Sequence, residues 1–293
     1  MTTIRPRRSV LYMPGSNARA LAKGRTVAAD ALILDLEDAV APDAKVIARD
    51  QVVAAVGEGG YGRREIIVRV NGLDSPWGEA DVEAVARCGA AAVLIPKVES
   101  AAMVAAIESR LVAAGAPKDL SIMCMMETPR GILRADEIAG ASDRLTALVL
   151  GTSDLVKDLH ALHTADRIAV LTSLSLCVLA ARAYGLAVID GVHLDLSDDA
   201  GFADACRQGR ELGFDGKTLI HPKTIAAANA AFGPSEAEVA FSRRVIAAHA
   251  EAAAAGKGVV VVDGRLIENL HVADARRLVA LAEAIEALAA EVG

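Results

Sequence analysis

Three carboxylates and one guanidinium carry most of the chemical potential of this sequence: Glu37, Glu127, Asp154 and Arg69, each in or just after a short apolar run. Glu127 and Asp154 end consecutive runs, so their carboxylates are expected to approach each other. Two hard oxygen ligands, completed by water and substrate oxygens, are a usual way of holding Mg2+. The alternative is that each acid pairs with a lysine or arginine at the same rim. Arg69 lies between Val68 and Val70, where an unpaired guanidinium would be too costly to bury, so it faces Glu37, another acid or an anionic ligand. Its planar fork suits a substrate carboxylate. A structural Arg69–Glu37 pair meets the same need, and the two readings are compatible.

Other chemistries find less support. No GxSxG marks a serine nucleophile, and no cysteine has a context that lowers its thiol pKa; Cys124, inside an apolar run, reads as core. The histidines show neither HExxH nor HxxxH spacing, which disfavours zinc, and His221 reads as packing at a strand end rather than as a base. Met13-Pro14-Gly15-Ser16-Asn17 reads either as an ordinary turn and helix cap or as a phosphate seat near Arg19, Lys23 and Arg25.

The elements that position these groups follow from the apolar runs, which are continuous rather than alternating, as in strands buried on both faces. Eight are expected: Ser9–Gly15, Asp30–Asp38, Glu65–Asn71, Ala91–Glu99, Ser121–Glu127, Leu145–Asp154, Ala187–Asp195 and Gly216–Pro222. Helical patterns separate them at Ala18–Ala29, Asp43–Val56, Glu79–Cys88, Ala101–Ala114, Gly131–Gly140, Ile168–Tyr184, Phe202–Leu212 and Thr224–Phe232. Eight strand–helix units in series predict an α/β fold of the TIM (β/α)8 barrel type over residues 1–233, with a C-terminal helical extension over 234–293. In the extension a helix is expected over Ser235–Ala255, a strand over Val259–Val262 and a last helix over Val272–Glu291. In such barrels catalytic groups come from the carboxyl ends of the strands. Those ends are polar here, and alternation is expected to pair Asp35 with Glu37, Arg69 with Asn71, and Lys97 with Glu99 on common faces.

Composition narrows the partners. The 293 residues are 53% hydrophobic but only 3% aromatic, with a formal charge of −7; there is neither a broad cationic field nor a supply of stacking rings for nucleic acid. Four dispersed cysteines without a CxxC pair argue against disulfides and suit a reducing cytoplasm. The basic start of the chain leads into an apolar run too short for a signal-peptide core, and no window of spanning length lacks a charge. A soluble cytoplasmic protein without membrane contact is expected.

Taken together, the strand ends resemble the citrate lyase β-subunit-like family of the HpcH/HpaI aldolase superfamily, which includes citryl-, citramalyl- and malyl-CoA lyases. The resemblance rests on RSVLYMPGSN at 8–17, DALILDLEDAV at 30–40, VRVNGLDSP at 68–76, IPKVES at 95–100, METPRG at 126–131, LGTSDLVKDLHA at 150–161, AARAYGLAVIDGV at 180–192 and GFDGKTLIHP at 213–222. It implies a Mg2+-dependent carbon–carbon lyase that cleaves a carboxylated 3-hydroxyacyl-CoA into acetyl-CoA and a keto acid. Glu127 and Asp154 resemble the family's metal ligands, Arg69 its carboxylate grip, and Glu37 the residue orienting that arginine. Pro14, Gly15, Lys23 and Lys45 fall where the CoA thioester is held, and a homo-oligomer, trimer or hexamer, is implied. The same scaffold hosts malyl-CoA thioesterases, and citrate lyase β subunits use an acyl-carrier protein. The chain departs from the family's C-terminal G-x-M-I-D-x-P pattern, with Glu268 in the place of the acid/base Asp and Leu270 in that of Pro; Ser153 stands where an acidic residue is common. A carboxylate one methylene longer shifts a proton-transfer geometry in which about an ångström can change the rate a hundredfold.

Overall fold

The computed structural model of the chain describes residues 4–256 and 258–290. The eight apolar runs form parallel strands β1 Ser9–Pro14, β2 Ala31–Asp35, β3 Glu65–Arg69, β4 Ala92–Ile95, β5 Ser121–Met126, β6 Leu145–Leu150, β7 Ala187–Asp190 and β8 Gly216–Leu219, paired in chain order into a closed barrel. Around them run α1 Ala18–Gly24, α2 Lys45–Glu58, α3 Gly78–Cys88, α4 Ala101–Ala113, α5 Pro129–Leu133, α6 Ala135–Ala139, α7 Thr152–Asp158, α8 Leu171–Ala183, α9 Asp199–Leu212 and α10 Ile225–Phe232. This is the expected TIM-type barrel.

Each strand divides its side chains between two apolar layers, as a period of two requires. Val10, Ala31, Ile33, Ile67, Leu94, Met123, Met125, Val149 and Ile189 pack together inside the barrel. Leu11, Leu32, Leu34, Val68, Val93, Cys124, Leu148 and Val188 face the helices. The inner set continues toward the carboxyl ends as Tyr12, Asp35, Arg69 and Glu127, so the inner face is polar at the mouth.

The strands stop earlier than the apolar runs suggest, for local reasons. Pro96 has no N–H to continue the ladder after β4, and Lys97 takes a φ of +48°. β6 ends at Leu150, and Gly151 caps the helix that follows. Asp154 is therefore not a strand end, as the run implied, but lies in the first turn of α7, where a carboxylate suits the helix dipole. The single helix expected over Gly131–Gly140 is two short ones, because Arg134, at φ −114° and ψ 19°, leaves helical geometry between them.

A buried ionic network lies on the outer face of β7 and β8. Asp190 and Lys217 are register neighbours, almost wholly buried, and Lys217 Nζ donates to Asp190 Oδ2 at 2.9 Å and to the Gly191 carbonyl. Arg167 Nη1 reaches both Asp190 oxygens at 2.8 and 2.7 Å, and its Nε donates to Gln208 Oε1 at 2.6 Å. One carboxylate thus ties the segment before α8 to α9 and to the barrel wall.

The residues from Gly233 onward, with the first few of the chain, cluster separately from Arg7–Phe232. In this unit α11 Glu236–Ala254 begins with a reciprocal Ser235–Glu238 capping box. An antiparallel hairpin, β9 Val260–Val262 and β10 Arg265–Ile267, leads to α12 Asn269–Ala289. The second hairpin strand was not expected, although Asp263-Gly264 between two apolar runs is the dipeptide that a two-residue turn with positive φ selects, and both residues have it, at +48° and +76°. Val245, Val262, Ile267, Val272 and Ala275 form the core of the unit. The expected end of the last helix, Glu291, lies outside the described residues, as do the first three residues of the chain. Among the described residues no helix is long and apolar enough to cross a membrane.

Replacing Asp190 by Ala strands the buried Lys217 and the part-buried Arg167 and is expected to destabilise the protein by about 3–5 kcal/mol. Urea denaturation checks this, and Asp190→Leu combined with Lys217→Met is expected to lose less than the two single changes added together.

Candidate active site

The mouth is organised by strand register. Asp35 and Arg69 are direct neighbours on β2 and β3. Arg69 Nε and Nη2 donate to Asp35 Oδ1 and Oδ2 at 2.7 and 2.6 Å, a bidentate pair with both residues buried. Asp35 also accepts the amides of Glu37 and Ala39, at 2.9 and 3.1 Å, and so shapes the loop after its own strand. Beneath the guanidinium lies the Tyr12 ring, 5.0 Å from its carbon. Arg69 Nη1 faces Glu37 at 2.9 Å and Asp38 at 3.5 Å. The orienting role expected of Glu37 is therefore carried first by Asp35, with Glu37 as the second contact. Asp35 offers one signal in sequence, its spacing two residues before Glu37, which places it on the inner face.

Glu127 follows β5 on the inner face and is only 2% exposed. Its Oε1 accepts the amide of Lys97 at 2.8 Å, while Oε2 accepts no hydrogen bond among the described residues. Burial pushes its carboxyl up to about 7, although that amide and the charges of Arg69 and Lys97 pull the other way. A Cβ on Gly151 would stand 2.2 Å from Glu127 Oε2, so the residue after β6 must be glycine to leave the carboxylate its place. Asp154 enters from α7, with Lys97 at 3.9 Å and Lys157 at 3.6 Å.

Lys97 joins the two groups of acids. Its Nζ is hydrogen-bonded to Glu37, with Asp38 at 3.7 Å. Burial works against its charge, but Glu37 and the neighbouring acids outweigh it and raise the ammonium to about 12. Burial also raises the Glu37 carboxyl, against the pull of Arg69 and Lys97. Sequence reading put Lys97 at a strand end without giving it a task; the turn at Pro96 is what aims it.

The remaining expected residues are placed as follows. Gly15 is pinned to the end of β2 by its amide, which donates to the Asp35 carbonyl at 2.8 Å, and Pro14 closes β1. Lys23 is exposed in the last turn of α1. Lys45, expected against CoA, is buried instead, its ammonium donating to the carbonyls of Leu36 and Glu37 at 2.9 and 2.8 Å beside Trp77. Burial lowers its pKa, against the attraction of the nearby acids. Asn71 does not share a face with Arg69, because β3 ends at Arg69; its amide group bonds Asp81 and the Leu36 carbonyl. His221 caps the turn after β8, its Nδ1 accepting the Lys223 amide at 3.1 Å. Asn17 caps α1 by accepting the Ala20 amide at 3.1 Å. Glu268 belongs to the other unit, exposed at the start of α12, its amide donating to His271 Nδ1 at 3.0 Å.

Among the described residues no group of three or more His, Cys, Asp or Glu is arranged to hold a metal. The pair Glu127 and Asp154 still fits a hard cation that keeps several waters, since Mg2+ is commonly held by one or two carboxylates. A carboxylate oxygen that accepts no hydrogen bond among the described residues, on the largely buried Glu127, beside an acid whose nearest cations stand 3.6 and 3.9 Å away, is the donor set such an ion completes.

A family model described as HpcH/HpaI aldolase/citrate lyase matches residues 8–222. The chain belongs to this family. Within it the chain is similar to (3S)-malyl-CoA thioesterase of Cereibacter sphaeroides strain KD131, 53% identical over 97% of this chain and 98% of that protein. It is similar also to citrate lyase subunit beta of Escherichia coli K12, 39% identical over 95% and 94% of the two chains. Among solved structures, CitE of Mycobacterium tuberculosis in complex with magnesium, acetoacetate and coenzyme A superposes with a TM-score of 0.75, at 30% identity over 94% of this chain and 97% of that one. The protein is thus an enzyme of the aldolase/citrate lyase superfamily.

Gly151→Ala drives a methyl group into the Glu127 carboxylate. It is expected to weaken Mn2+ binding at least tenfold, measured by paramagnetic titration, while the circular dichroism spectrum stays that of the wild type. A second expectation concerns pH. The Glu127 carboxyl is raised in the folded protein to about 7 from an ordinary value of 4.5, so the folded state binds its proton more tightly than the unfolded chain does. That contribution is full below about 4.5 and is lost as pH rises through about 7. Melting in EDTA should show the wild type losing stability relative to Glu127→Gln across this window, with a constant gap above it.

Proposed function

We propose that the chain is a Mg2+-dependent carbon–carbon lyase that cleaves or forms a carboxylated 3-hydroxyacyl-CoA, such as malyl-, citramalyl- or citryl-CoA, with acetyl-CoA and a keto acid as the other partners. The observation that carries this reading is the inward-facing set Asp35–Arg69–Glu37 next to Glu127 and Asp154, which offers a carboxylate grip and a cation seat at one barrel mouth. The magnesium, acetoacetate and coenzyme A bound by the Mycobacterium tuberculosis CitE support it.

The residues divide the work by their chemistry. Asp35 holds Arg69 through two of its five N–H groups, which fixes the plane of the fork and leaves further donors for a substrate carboxylate. Glu127 and Asp154 would hold Mg2+, which when bound supplies Lewis acidity toward the oxygen that gains charge as the carbon–carbon bond breaks. Lys97 and Arg69 place positive charge beside the acids of the mouth, where it would meet a substrate carboxylate once a bound metal ion offset Glu127 and Asp154. Glu268 is the proposed proton carrier for the α-carbon of the thioester. Pro14, Gly15 and exposed Lys23 are proposed for the CoA portion. Lys45 is assigned a supporting role, since its ammonium is committed to the loop after β2. A homo-oligomer, trimer or hexamer, in the cytoplasm completes the reading.

A second reading is hydrolysis of a malyl-CoA-like thioester, favoured by the 53% identity to a protein named (3S)-malyl-CoA thioesterase. A third is the role of a citrate lyase β-type subunit acting on an acyl-carrier protein, favoured by the E. coli relative.

Mass spectrometry of the purified protein incubated with malyl-CoA, citramalyl-CoA and citryl-CoA, with Mg2+ or with EDTA, separates these. Acetyl-CoA plus a keto acid, lost in EDTA and lost in Asp154→Ala, is the expected result. Free CoA with the intact hydroxy acid would assign the thioesterase instead, and cleavage only of carrier-linked substrate would assign the subunit.

A further inference from the structure

Among the described residues Lys97 is the one whose charge pairs with both halves of the site. Its ammonium bonds Glu37, which contacts Arg69, and stands 3.9 Å from Asp154 Oδ2, while its own amide holds Glu127 Oε1 at 2.8 Å. The backbone that allows this is unusual for a residue with a side chain: φ is +48°, in the left-handed region. Such conformations persist where the surroundings over-determine them, and they gather at functional sites. Here the surroundings are Pro96 before it, the Glu127 carboxylate on its amide, and three acids around its ammonium.

The same position that steadies the acids sets the ammonium in competition with a divalent ion. Asp154 faces two cations, Lys97 and Lys157, and neither is closer than 3.6 Å; its oxygens are held by long-range attraction rather than by short hydrogen bonds. A metal ion on those oxygens meets a like charge a few ångströms away. Resting on the metal reading of Glu127 and Asp154 above, we propose that Lys97 is a built-in counter-cation that weakens divalent-ion binding at this site. It keeps the carboxylates assembled and the ion exchangeable. The negative charge of an arriving carboxylate substrate then offsets the ammonium, so ion and substrate favour each other's binding.

Lys97 projects into the open mouth, with its side chain 44% exposed, so its replacement does not disturb the core. Lys97→Met, Lys97→Asn and Lys97→Arg test the idea, the asparagine variant because that residue tolerates the left-handed backbone. Mn2+ is titrated into each full-length protein and the free ion read by electron paramagnetic resonance, with Glu127→Gln as the control that removes a ligand. A unit charge within about 4 Å of a ligand oxygen at a half-exposed site predicts Mn2+ binding about tenfold tighter or more in the methionine and asparagine variants, and unchanged within about twofold in the arginine variant. Equal or weaker binding in both neutral variants, with wild-type binding abolished by Glu127→Gln, overturns the inference and leaves the metal reading standing. Wild-type protein that binds Mn2+ no better than Glu127→Gln removes the metal reading and the inference with it.

Discussion

The site depends on the bidentate pair between Arg69 and Asp35. Burying either charge alone would be prohibitive, and burying them together is sustained only with good geometry and satisfied lone pairs. The barrel supplies both. Register sets the two residues side by side on adjacent parallel strands, and the Asp35 oxygens that bind Arg69 also accept two amides from the following loop. That loop presents Glu37 and Asp38. The arginine, its orienting acids and the path of the chain after β2 are therefore a single construction, with the Tyr12 ring beneath it and the amide of Gly15 fastened to the Asp35 carbonyl.

On the other side of the mouth the governing term is desolvation. Glu127 is held out of water with one backbone donor, and its raised carboxyl expresses the strain of an under-compensated charge. Gly151 makes room for it, and Asp154 arrives from the first turn of the next helix. A cation is the natural complement of such a pair. The acids outnumber the basic groups around them, and Lys97 is the contact through which the arginine half and the carboxylate half share charge. Stability and function pull in opposite directions here, as they do wherever a buried group is kept in the form its chemistry needs rather than the form that folds best.

The barrel was legible because parallel strands covered on both faces leave continuous runs of Val, Ile and Leu, and a hydrophobic run survives translation into structure almost unchanged. The candidate site was legible in type: Glu37, Arg69, Glu127 and Asp154 are acids and a base at the ends of apolar runs, where such residues have no structural reason to be unpaired. Element ends were less legible. Alternation beyond the last ladder bond placed Asn71 beside Arg69 and Lys97 beside Glu99, yet β3 stops at Arg69 and Pro96 breaks the ladder before Lys97. Lys45 was expected against CoA and is a buried clamp on two carbonyls.

What the sequence determined by itself was therefore the periodicity of buried surface, and with it the order of strands, the inner face of each, and the kinds of charge gathered at the mouth. Tertiary structure decided the partners. Whether Arg69 meets Asp35 or Glu37 first depends on the register between strands some thirty residues apart in sequence; how Lys97 spans the mouth goes with its left-handed backbone angle and the acids it meets; and why residue 151 is glycine appears only when Glu127 occupies the space its Cβ would fill. These are properties of distances between chain segments, and local sequence carries no record of them.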